Sequence, residues 1–232
     1  MAHARRTALQ PILDDLMHVF GDRLEALVVY GWRQHGPVPS LALVRSLSVD
    51  DLNACAARSG AWRRAGAATP LLLTSADFAR SLDAFPIEYG EIIASHEVVH
   101  GRDPFEGLAI RREDLRRACE VQAKSHLLHL REDYVESGAR PSEVEALVRD
   151  SAPGFAALLR HLARLDGATV TGNAELIAYA ARTMRLDSHV VGDLVTLADP
   201  DGLPSVDAAR LFPGYLAAVE RVAEFVDRWR EA

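Results

Sequence analysis

Phe20-Gly21-Asp22-Arg23-Leu24-Glu25-Ala26-Leu27-Val28-Val29-Tyr30-Gly31, or FGDRLEALVVYG, holds a helix end, a turn and a strand in one short passage. Upstream, Leu9, Ile12, Leu13, Leu16, Met17 and Phe20 recur at helical spacing, which predicts an amphipathic helix over 7–20. Gly21-Asp22 ends that helix. Leu24 to Tyr30 is then an apolar run of strand length, closed by Gly31. Downstream, Gly36, Pro37 and Pro39 lead into a second strand, Val38 to Val44. So short a separation makes the two strands neighbours, joined by a glycine-containing turn.

Beyond this pair, Ser48-Val49-Asp50-Asp51 carries the signature of a helix start, with the helix running to about Arg64. Pro70 to Thr74 reads as a third strand, and Ser75 or Asp77 opens another short helix. Phe85 to Ile93 fits either a strand or the approach to a helix, and periodicity leaves both open. From Arg112 the pattern turns helical, over 112–137, 141–165, 172–184 and 205–231. Pro141, Gly167, Gly172, Pro200, Gly202 and Pro204 mark the breaks, while Asp187-Ser188 and the run toward Gly192 argue against a helix there. The expected organisation is a mixed α/β domain over 1–108 and an α-helical bundle over 109–232.

At 232 residues, 49% hydrophobic and 25% charged, the chain has the composition of a globular protein with a real core. Its formal net charge of −7 argues against nucleic acid or an anionic membrane surface as partner. Of the 26 basic residues only Lys124 is lysine, a bias that suggests a GC-rich bacterial genome. No signal sequence opens the chain and no apolar run reaches membrane-spanning length. With just Cys55 and Cys119, the expectation is a cytoplasmic protein with reduced thiols.

The order helix, strand, glycine turn, strand, helix, strand, together with FGDRLEALVVYG, resembles the opening of bacterial small nucleotidyltransferases, including the aminoglycoside type. A second stretch of likeness follows: Phe85-Pro86-Ile87-Glu88-Tyr89, then Val98-Val99-His100-Gly101-Arg102-Asp103-Pro104-Phe105, then Asp114-Leu115. The resemblance implies a fold of class α/β plus all-α: a nucleotidyltransferase-like mixed sheet with flanking helices, then a C-terminal helical bundle. In that family a Gly-Ser turn cradles a nucleotide phosphate, and a second strand carries two aspartates one residue apart. A third carboxylate stands on a later strand, and together these hold Mg²⁺ against the triphosphate.

This chain departs from that pattern at each catalytic position. Gly31 is kept, but Trp32 stands where the serine belongs; Ser40 and Ala42 replace the paired aspartates, and Ala68 to Thr74 offers no acid. The resemblance therefore implies a degenerate, non-catalytic member without a cofactor. It would bind a nucleotide or other phosphorylated small molecule near Gly31, Trp32 and Arg33, or act through protein contacts. Trp32 is placed to stack on a base or to plug the vacant phosphate site. An active enzyme using Mg²⁺ with nucleotide would need other carboxylates, such as Asp50, Asp51, Glu88 or Glu91.

One motif names a different chemistry. His96-Glu97-Val98-Val99-His100 spells HEVVH, the zinc-peptidase signature, in which two histidines on one helix face bind the metal. Glu97 would then be the general base for metal-bound water. Gly101 and Pro104 argue against the necessary helix, and Asp103 and Glu106 stand where a metzincin needs glycine and histidine. Zinc at His96 and His100 is thus the weaker alternative. Two further groups read as helix faces: Arg111, Arg112, Arg116 and Arg117 as a solvated one, and His126 with His129 and Arg131 as a solvated or interhelical one.

Overall fold

The computed structural model describes residues 2–31, 36–199 and 207–230. Helix α1 (Ala2–Phe20) passes through a single 3-10 turn, Gly21–Arg23, into strand β1 (Leu24–Tyr30). Strand β2 (Ser40–Val44) returns antiparallel to it, with Ser40 opposite Val29 and Val44 opposite Leu24. Helices α2 (Val49–Ala56) and α3 (Ser59–Arg64) lead to β3 (Leu71–Thr74), which runs parallel to β2. A parallel neighbour needs such a crossover, because a tight hairpin returns the chain antiparallel. Helices α4 (Ser75–Arg80) and α5 (Pro86–Ala94) precede the last strand, β4 (His96–Gly101), antiparallel to the free side of β1. Across the sheet the order is β3-β2-β1-β4.

Apart from Glu25, the inner strands β1 and β2 are covered on both faces, which is why they read as unbroken apolar runs. On one face Leu27, Val29, Ala42 and Val44 join Leu9, Ile12 and Leu16 of α1 and Trp62 of α3. On the other, Ala26, Val28, Leu41 and Leu43 join Phe78, Tyr89, Ile92 and Phe105. Burying one large aliphatic or aromatic side chain contributes about 1.5–3 kcal/mol, so these two layers dominate the stability of the sheet.

Polar ties then fix the helices. Arg23 reaches both oxygens of Asp51, at 2.7 and 2.9 Å, and Asp51 closes a capping box with Ser48 at the start of α2. The Arg23 guanidinium first, and the Ser48 hydroxyl second, hold the Asp51 carboxyl far below the usual carboxylate range. Trp62 Nε1 donates to Asp15 at 2.8 Å, and Arg58 pairs with the same carboxylate at 3.2 Å.

Local expectations change in several places. The second strand begins at Ser40, and Val38 makes only an isolated bridge to Ala67. The helix expected over 48–64 divides into α2 and α3. Phe85 to Ile93 is helical: Pro86 sits in the first turn of α5, where an N–H has no intrahelical partner to lose.

The chain divides into two compact units, Met1–Arg111 and Arg112–Ala232. The described part of the second is helical: α6 (Arg112–Glu136), α7 (Pro141–Leu165), α8 (Asn173–Met184), α9 (Ser188–Leu197) and α10 (Ala208–Arg228). Helix α9 contradicts the expected break. Asp187 is its cap, accepting from the N–H groups of His189 and Val190 at 2.8 and 3.3 Å, and Gly192 is carried inside it. Phe155, Leu159 and Leu162 of α7 and Tyr215, Val219 and Val226 of α10 are buried in this unit. Burial raises both cysteine thiols, Cys119 to about 12, which favours the protonated form. No described helix is long and apolar enough to cross a membrane.

Candidate functional site

Gly31 follows β1 with φ at +61°, a left-handed conformation that glycine adopts without strain. Trp32 and Arg33, expected to line a ligand site with it, lie outside the described residues. The chain re-enters the sheet at Ser40, and the Tyr30 N–H donates to the Pro39 carbonyl at 3.3 Å beside it. Burial, with Tyr89 nearby, raises the Tyr30 phenol above its ordinary value.

Ser40 and Ala42, matched to the family's paired aspartates, face the same way as their partners Val29 and Leu27. They are 1% and 0% exposed. Ala42 lies in the apolar cluster that holds Trp62 and Ala67, and Leu72 of β3 packs against that cluster. Ser40 Oγ has no hydrogen-bond partner among the described residues, an omission that costs about 1–3 kcal/mol for a buried hydroxyl. Strand β3, Leu71-Leu72-Leu73-Thr74, brings no acid. Magnesium is held through carboxylate oxygens in near-octahedral geometry. An apolar cluster and one hydroxyl do not fit that ion.

The other carboxylates have separate surroundings. Asp51 is taken up by Arg23 and the capping box, and Asp50 is exposed in the first turn of α2. Glu88 and Glu91 lie one turn apart on the exposed side of α5, whose other side buries Tyr89, Gly90 and Ile92.

HEVVH is strand β4, not a helix, and this corrects the zinc reading at its premise. His96 pairs with Tyr30, whereas His100 pairs with Leu27, and a bulge intervenes. Tyr30 and Leu27 lie against opposite core layers, and paired residues share a face, so His96 and His100 point to opposite sides of the sheet. Four residues of strand also separate their backbones by about 13 Å. One zinc ion takes its nitrogen ligands at about 2 Å, which these two cannot supply together. Glu97, paired with Val29, falls on the His100 side. Among the described residues no three His, Cys, Asp or Glu side chains are grouped to hold a metal.

His96 has a structural task instead. Its Nδ1 lies 3.1 Å from the Ile92 carbonyl and its Nε2 3.2 Å from Asp103 Oδ1, while the ring meets Phe105 edge-on. Asp103 Oδ1 also accepts the Phe105 N–H at 2.9 Å. The histidine thereby ties the end of α5 to the Arg102-Asp103-Pro104-Phe105 turn. Nothing in the sequence pattern signals this role.

The remaining polar groups are engaged on helices. Arg116 pairs with Glu120 at 2.9 Å and Arg117 with Glu113 at 3.4 Å; Arg111 and Arg112 are partnered too. His126 hydrogen-bonds Tyr215 at 2.6 Å, and desolvation lowers its pKa; His129 faces Glu132 at 3.5 Å and Arg131 meets Glu220 at 2.6 Å.

A four-stranded mixed sheet with helices on both faces, a glycine turn between its inner strands and a trailing set of helices defines a nucleotidyltransferase-like fold. Among solved structures, the chain is similar to spectinomycin adenyltransferase AAD(9) from Enterococcus faecialis, crystallised with ATP and spectinomycin. The two align with a TM-score of 0.56 over 93% of this chain and 98% of that one, at 10% identity. At that identity the likeness is one of fold. No family model matches the sequence, and no curated protein does.

Proposed function

We propose that this protein is a non-catalytic member of the nucleotidyltransferase-like fold, and that it binds a nucleotide or another phosphorylated small molecule at the Gly31 turn. The observation that carries this reading is the pair Ser40 and Ala42: a hydroxyl and a methyl, almost wholly buried, at the positions where transfer chemistry needs carboxylates. The similar adenyltransferase was crystallised with ATP, which supports a nucleotide as the ligand class. Gly31 gives the backbone freedom to approach a phosphate, and Trp32 and Arg33, the next two residues in the sequence, complete the proposed site.

Calorimetry with ATP, with and without Mg²⁺, tests the proposal beside an adenylyl-transfer assay using spectinomycin as acceptor. ATP is expected to bind to a similar extent in both conditions, with no transfer. Mg²⁺-dependent transfer would make the protein an enzyme and sink the reading. Failure of ATP to bind at all would remove the nucleotide and leave protein contacts as the function.

A further inference from the structure

The opposite end of the same sheet carries a second set of polar groups. Glu25 and Ala26 lie in the first half of β1, with Glu25 about 20 Å of extended chain from Gly31. There the starts of β1 and α4, the end of β2 and the turn after β4 enclose a cavity of about 330 Å³. Its floor is apolar: Ala26, Leu43 and Phe78 are each 2% exposed. Its rim is charged, with Glu25, Arg102 and Asp103 around the mouth.

Both carboxylates are held in position. Ser75 Oγ donates to Glu25 Oε2 at 2.5 Å, Arg45 Nε lies 3.8 Å from Glu25 Oε1, and Asp103 Oδ1 is fixed by the Phe105 N–H and by His96. A carboxylate accepts at about four sites, so each keeps capacity for a ligand donor. Arg102 has no ion-pair or hydrogen-bond partner among the described residues. Gly101 sets the spacing of the rim. Its φ is +81°, and a Cβ there would lie 2.1 Å from the Glu25 carbonyl oxygen, so β4 is pressed against β1 just before Arg102.

A simple anion would leave the apolar floor unused and stand beside the Glu25 and Asp103 carboxylates. An inorganic cation would leave the apolar floor unused and Arg102 opposed to it. A small zwitterion with an apolar body matches all three features, and the volume lies at the small end of ligand cavities, about 300–1,000 Å³. We propose that this cavity binds a free apolar α-amino acid, its ammonium group on Glu25 and Asp103, its carboxylate on Arg102 and its side chain on Ala26, Leu43 and Phe78. The site is independent of the Gly31 turn.

The test titrates L-phenylalanine into the full chain and follows its NMR resonances. Saturable shifts at Ala26, Leu43 and Phe78 are expected. Charge-assisted hydrogen bonds are each strong enough that Arg102→Ala and Glu25→Gln, both at exposed positions, should each weaken binding about tenfold. Phenethylamine, lacking the carboxylate, and 3-phenylpropionate, lacking the ammonium, should also bind about tenfold more weakly. Far-UV circular dichroism verifies that both variants fold. Absence of shifts at these residues overturns the proposal, as does binding that survives in both variants. Equal binding of the three aromatic compounds overturns it too, because charge would then play no part.

Discussion

At the Gly31 end of β1 the sheet buries Ser40 and Ala42 within or beside an apolar cluster, whereas at the Glu25 end it leaves three charged side chains around an open cavity. The same two strands serve both ends. What differs is the cover: Trp62 and Ala67 close over the β2 face that Ala42 presents, while the Arg102-Asp103-Pro104 turn stands at the rim and leaves the mouth open. Polar chemistry on a two-sided sheet survives where the chain leaves room for a partner, because an unpaired buried charge is too costly to keep.

The sharpest way to break this contrast is to place a carboxylate at the closed end. Ala42→Asp is expected to destabilise the sheet unit by about 3–5 kcal/mol in urea denaturation, the cost of an uncompensated buried charge. It should gain no Mg²⁺ affinity by calorimetry. A stable variant that binds Mg²⁺ would show that end to be open after all. At the other end, Gly101→Ala should cost about 3 kcal/mol, since it combines a left-handed φ with a clash against backbone that cannot rotate away. An undiminished denaturation midpoint would mean that β4 and β1 separate there easily. The smallest effect belongs to Ser40→Ala. Removing a buried hydroxyl that lacks a partner should leave stability unchanged or raise it by up to about 1 kcal/mol, whereas a loss of that size would reveal a hydrogen bond made by Ser40.

Much of the fold could be read directly from the chain. The run from Leu24 to Tyr30 is strand β1 with those same bounds, because a strand buried on both faces must be continuously apolar. Helices α6 and α7 follow the long periodic stretches and break at Ala139-Arg140-Pro141, as expected of a proline start. Helix α9 was hidden because Asp187-Ser188 resembles a breaker when it is in fact a cap. HEVVH could be taken for a helical motif because two histidines four apart satisfy the helical period, while its two valines suit a strand equally well. Only pairing with β1, some 70 positions earlier in the chain, makes it one. Ser40 and Ala42 stand in the sequence without acidic side chains, but the burial that surrounds them does not show there. The Glu25–Arg102 cavity left no local trace, since its walls come from segments far apart in sequence and meet only through sheet register.

The bulge in β4 has a practical consequence for anyone attaching probes to this strand. One extra residue opposite Leu27 resets the alternation, so odd and even positions do not map onto two sides along its whole length. Labels at His96 and Val98 report from the Phe105 side, and labels at Glu97 and His100 report from the α1 side. A spin label or cysteine scan interpreted with simple alternation would assign His100 to the wrong solvent environment. Deleting Val99 would restore the plain two-residue rhythm and leave His100 opposite Leu27, on the side away from His96.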